Sequence, residues 1–189
     1  RSAAQWYSAI GYAQEALDYA LTISDMPFAA DILEVEARQK GVLPVHWLER
    51  LPLDLVRARP LLCAIFAASK AIKEGTSRDE VEKLHQEAER GLALLCQECE
   101  VDPLYAVLVR GHIALTRAIL ALGEGAPHNT IEMASQALAQ LPDELVSERW
   151  SAYLIQAQGY LFLGESEKAL NSVDGALFLA RRHRQYPRL

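Results

Sequence analysis

Cys96-Gln97-Glu98-Cys99 has the CxxC spacing of a dithiol redox centre or of half a structural zinc site. A redox dithiol wants a βαβ setting, and a closed zinc site wants two further nitrogen or sulfur ligands. Neither accompanies it. Cys63 lies over thirty residues away, and the five histidines include no HxxxH pair. The expectation is a helix end with one buried and one exposed thiol, holding no metal and no cofactor. Carboxylate pairs such as Glu34/Glu36 and Glu98/Glu100 are two apart, so on a helix they point to different sides and cannot act together. No serine or cysteine has a legible base partner, and the chain is not expected to be an enzyme.

The cations are more informative. Arg110 lies fifteen residues before Gly125 and Arg149 fifteen before Gly164, so both occupy one register of successive repeats. Two guanidiniums stacked along one edge could grip a carboxylate or phosphate of a small effector. The plainer alternative pairs each with a neighbouring acid, such as Glu148. His112 sits two residues after Arg110. The same register places apolar residues on the inner faces of the first helices: Leu62, Ile65 and Ile72; Leu115, Ile119 and Leu122; Leu154, Leu161 and Phe162. Either tight curvature buries them, or they are exposed and mark a binding surface for an apolar effector or another helix. The candidate groove residues are therefore Arg110, His112, Leu115, Ile119, Arg149, Leu154, Gln158 and Phe162. A basic tail (Arg181, Arg182, His183, Arg184, Arg188) ends the last helix, where cations complement the helix dipole.

The elements that must position these residues are helical. Around Gly164, Ala157 lies seven before and Tyr160 four before, with Ala169 five after and Val173 nine after. Ala4, Tyr7, Ala16 and Ala20 repeat those offsets around Gly11. Intervals of three, four and seven keep to one helix face, and alanine at the closest approach lets two backbones pack tightly. Gly75 and Gly125 organise two further copies; the first needs one inserted residue to bring Val81 and Ala88 into register, and in the second Thr130 replaces an alanine. Spacings of 50 and 39 between Gly75, Gly125 and Gly164 exceed the tetratricopeptide period of ~34, so the repeats are long and irregular. Asp25 and Pro27 suit the start of another helix, and Pro44, Pro52 and Pro60 cut the region between into short ones. The predicted fold is all-α, with tetratricopeptide-like hairpins stacked in a right-handed superhelix. The prediction treats 1–189 as one repeat domain, with a possible sub-boundary near 41–60.

Half of the chain is hydrophobic, with ten Gly and eight Pro, which marks a folded globular segment. A net charge of −6 argues against a nucleic-acid backbone as this segment's partner. No uninterrupted apolar run approaches the ~18 residues of a membrane span, and no signal peptide is legible. An odd cysteine count fits a reducing cytoplasm rather than a disulfide framework. Opening at Arg1 inside a helical pattern, the chain reads as a piece of a longer protein.

Three stretches carry a resemblance: AAQWYSAIGYAQEALDYAL (Ala3 to Leu21), WLERLPLDLVRARPLLC (Trp47 to Cys63) and ASQALAQLPDE (Ala134 to Glu144). In that order they resemble the MalT-like regulators, the large ATP-binding members of the LuxR group; Trp47 to Arg59 is the most specific piece. The resemblance implies a helical-repeat region lying between an N-terminal nucleotide-binding STAND module and a C-terminal helix-turn-helix domain. It further implies that this region senses an inducer and that active protomers self-associate through it. ATP and DNA would then be partners of other domains, since no GxxxxGK[ST] loop occurs here. The segment from Glu74 to Asp102 is more polar than the family pattern. The alternative reading is a tetratricopeptide adaptor that takes a protein segment in its groove.

Overall fold

The computed structural model describes residues 11–41, 43–73, 75–98 and 101–185. Among them every regular element is a helix: α1 (Ala13–Thr22), α2 (Met26–Lys40), α3 (Val45–Leu48), α4 (Leu53–Arg57), α5 (Pro60–Ala71), α6 (Arg78–Glu98), α7 (Pro103–Gly123), α8 (Pro127–Gln140), α9 (Val146–Phe162) and α10 (Ser166–Gln185). The first helix of the opening repeat, with Ala4 and Tyr7, lies outside the described residues, as do Glu74 and Cys99. The chain packs as two compact units, 1–109 and 110–189, whose border falls inside α7.

Local chemistry sets the helix ends. The Asp25 carboxylate accepts from the Phe28 N–H at 3.1 Å, with Pro27 in the first turn of α2, as the sequence predicts. The three prolines confine α3 and α4 to four and five residues. Gly125 and Gly164 have φ of 67° and 75°, a left-handed conformation that ends α7 and α9 and costs a side-chain-bearing residue dearly. Helix α5 stops at Ala71.

In the first unit α1 packs on α2, α5 on α6, and the short α3 and α4 lie against α5. Leu17, Ile32, Leu33, Leu48, Val56, Leu61 and Leu62 fill the core. Arg59 ties the layers, reaching Asp31 at 2.7 Å and Glu34 at 3.5 Å. Arg38 covers the ring of Tyr105 at 4.5 Å. The Tyr105 hydroxyl accepts from the buried Leu61 N–H at 3.2 Å, satisfying a donor at the start of α5 for which Arg59 supplies no side-chain cap.

The second unit is built on small residues. Ala118 and Ala121 on α7, Ala134 and Ala137 on α8, Ala152 and Ala157 on α9, and Ala169 and Ala176 on α10 are all buried, Ala157 and Ala169 as their register around Gly164 predicts. Thr130, at an alanine position, is buried with its hydroxyl donating to the Ala126 carbonyl at 2.9 Å, so it fits without an orphaned group. A Cβ on Gly159 of α9 would meet Ile131 Cγ1 at 2.8 Å and the Pro127 carbonyl oxygen at 3.3 Å. Gly159→Ala is therefore expected to lower stability by about 1–2 kcal/mol, overpacking outweighing the gain in helix propensity. Gly123, with nothing within 4 Å of the same position, should gain stability on the same change, and urea midpoints of the two variants check the opposite signs. Helix α7 has the length and hydropathy of a membrane span, but 56% of its most apolar window is buried inside the structure.

Candidate functional site

The candidate residues fall into three groups. Leu154, Gln158 and Phe162 are four apart on α9 and share one stripe with Trp150 and Leu161. Gln158 is exposed, Phe162 is 67% exposed and Leu161 60%, while Leu154 is half-buried. This is an apolar, aromatic-edged surface with one amide in its middle. Leu115 and His112 are by contrast buried in α7, and Ile119 is half-buried. Among the other inner-face positions Leu62 and Ile65 are core, Leu122 is half-buried and Ile72 is exposed. Burial thus divides the apolar set, hiding its early positions and exposing the ends of α5 and α9.

The two arginines part company. Arg110 is exposed. Arg149 is drawn inward, its side chain 14% exposed, and its Nη1 donates to the carbonyls of Leu138 and Leu141 at 2.6 Å each. Those are among the last carbonyls of α8, which lack intrahelical partners. Its second terminal nitrogen, Nη2, lies 3.4 Å from Asp143, and Asp143 also receives Arg182 at 3.6 Å. Arg149 thus has an acid partner, but Asp143 rather than Glu148. With both terminal nitrogens engaged, Nη1 on the end of α8 and Nη2 beside Asp143, Arg149 is held as a helix cap.

Glu148 points the other way and is 4% exposed, with neither carboxylate oxygen hydrogen-bonded in good geometry. Burial pushes its carboxyl up to about 7, against a weaker opposing pull from its own backbone N–H. Sequence reasoning placed Glu148 only as an ion-pair partner. Its spacing of four from Ala152 and eleven from Gly159, both buried, was the signal that it lies on the packed face. His112 is equally hidden; burial lowers its imidazole to about 4, and its Nε2 has no hydrogen-bond partner among the described residues. The charged tail is described only through Arg181 and Arg182, both exposed; the side chains of His183, Arg184 and Arg188 lie outside the described set.

Of the thiols, Cys96 is exposed and Cys63 is buried, donating to the Leu84 carbonyl at 3.2 Å. Burial pushes the Cys63 thiol up to about 12, which leaves it almost no thiolate at neutral pH. No group of three or more His, Cys, Asp or Glu with metal-binding geometry occurs among the described residues.

Among the described residues the chain is built of packed helix pairs. In sequence the chain is MalT-like. It is 29% identical over 191 residues to the HTH-type transcriptional regulator MalT of Serratia proteamaculans, and 28% identical over 190 residues to those of Yersinia pestis and Yersinia pseudotuberculosis. Each match covers 98% of this chain and 20% of the relative, so the chain spans about a fifth of the length of these regulators. No family model and no solved structure matches the chain.

Proposed function

We propose that the chain is the effector-sensing and self-association segment of a cytoplasmic, LuxR-group, MalT-like transcriptional regulator, and that it is not itself an enzyme. The observation that carries this reading is similarity running through 98% of the chain to proteins named as transcriptional regulators. Its hairpins, on this reading, stack as tetratricopeptide-like repeats into a right-handed superhelix whose inner surface takes a small effector or a protein partner. Binding shifts an equilibrium between resting and self-associating forms. ATP and DNA are handled by other parts of the longer protein.

Within that reading the working surface is the α9 stripe of Leu154, Gln158, Leu161 and Phe162, supported by the exposure of Gln158, Leu161 and Phe162, with Arg110 as an exposed cation in register. Arg149 moves from the ligand-gripping set to the frame that holds α8 and α9. Small metabolites should be screened against the chain by thermal shift. A true effector at a hundredfold excess over its Kd stabilises by about 2.7 kcal/mol. Phe162→Ala and Gln158→Ala should abolish that shift without altering the unliganded midpoint. If no metabolite stabilises the chain while an amphipathic peptide binds the stripe, the adaptor reading replaces the sensor.

A further inference from the structure

A second concavity lies far along the chain from these candidates, wholly within the first unit. Pro44, Pro52 and Pro60 make α3 and α4 too short to present a full apolar stripe, so they bracket the α5–α6 pair without sealing against it. A cleft of about 310 Å³ remains, within the size range of small-molecule sites. Leu48, Leu51, Val56, Phe66 and Leu84, all buried, form its apolar wall, and Leu53 stands exposed at its edge.

The charges around the rim are unequal in availability. Arg57 is committed to Glu87 at 3.0 Å, and Glu49 to Lys73 at 3.3 Å. Lys70 has its ammonium 5.1 Å from the centre of the Phe66 ring, and neither it nor Lys83 has a carboxylate partner among the described residues. Glu80 is the one carboxylate of the rim outside those pairs. Two ammoniums with no carboxylate partner among the described residues, one of them over the Phe66 ring, are set against one carboxylate, which favours a ligand with an anionic head and an apolar body. We propose that this cleft binds a small amphipathic monoanion, an aliphatic or aromatic carboxylate, with its body against Leu51, Val56 and Phe66 and its head between Lys70 and Lys83.

Octanoate is the probe, with octylammonium as the charge-reversed match, titrated calorimetrically into the full chain. Octanoate should bind saturably at one site and octylammonium should not. Lys83→Glu and Lys70→Glu should each weaken octanoate on the order of tenfold, because a like charge then faces the head group. Lys83 is exposed, so its variant folds normally and decides the matter even if Lys70→Glu does not fold. Phe162→Ala should leave octanoate binding unchanged, which separates this cleft from the α9 stripe. Equal binding of octylammonium, no saturable binding of octanoate, or an affinity indifferent to Lys83→Glu overturns the proposal.

Discussion

Glu148→Gln is expected to stabilise the chain by about 3 kcal/mol at pH 8 and to leave it unchanged near pH 4. The native carboxyl titrates near 7, against 4.5 for an unburied one, because burial penalises the charged form. A native group with a raised affinity for its proton supports the fold while protonated. That support is complete below pH 4.5 and is lost as pH rises to about 7. The displacement is equivalent to about 3 kcal/mol. A glutamine has the shape of the protonated acid and no charge to bury, so it should keep that support at every pH. Denaturant midpoints at pH 4, 6 and 8 read the effect, and a variant no more stable than the parent at pH 8 would sink it.

The same profile carries a second signature. His112, lowered to about 4, contributes stability that is fully present above 6.5 and is lost as pH falls towards 4. Between pH 4.5 and 6.5 the two groups work in opposite directions, so the parent should look nearly flat there. In Glu148→Gln the slope of His112 stands uncovered, and the variant should lose stability with acid across that window.

Arg149→Ala should lower stability by about 2–4 kcal/mol, because two charge-assisted bonds vanish and two carbonyls at the end of α8 lose their donor. Lysine does not substitute well. Its ammonium is a point charge on a flexible stem, whereas the guanidinium is a planar fork that reaches the Leu138 and Leu141 carbonyls and Asp143 together. Arg149→Lys should therefore recover only part of the loss. Urea unfolding with an unchanged slope is the measurement. If Arg149→Ala leaves the midpoint in place yet abolishes an effector-induced shift, the guanidinium is a ligand group and the cap assignment fails.

What was legible in the sequence was whatever short-range periodicity determines. The glycine turns at 125 and 164 and the buried alanines around them follow from spacings of three, four and seven, and the Asp25 cap and the proline-cut helices from the local chemistry of those residues. The match to MalT-like regulators was readable from the run around Trp47. What was not legible depends on how the chain turns back on itself in space. Register equates Arg110 with Arg149, but only the three-dimensional path of Leu141-Pro142-Asp143 brings the unfinished end of α8 to Arg149. Glu148 reads in the sequence only as an ion-pair partner for Arg149, whereas it lies buried on the packed face of α9. The cleft in the first unit was hidden for a similar reason, since its walls come from four helices.

The tyrosine that finishes α5 has a consequence for synthesis. Leu61 is made 44 residues before Tyr105, whose hydroxyl takes up its N–H. At ribosomal rates of about 5–20 residues per second, that gap lasts about 2–9 s. Through that interval the nascent chain holds an apolar helix whose entrance is unfinished, and closure of the first unit waits on the opening turn of α7. A pause that holds Tyr105 inside the ribosome should prolong chaperone contact, whereas one placed after the opening turn of α7 has emerged should not.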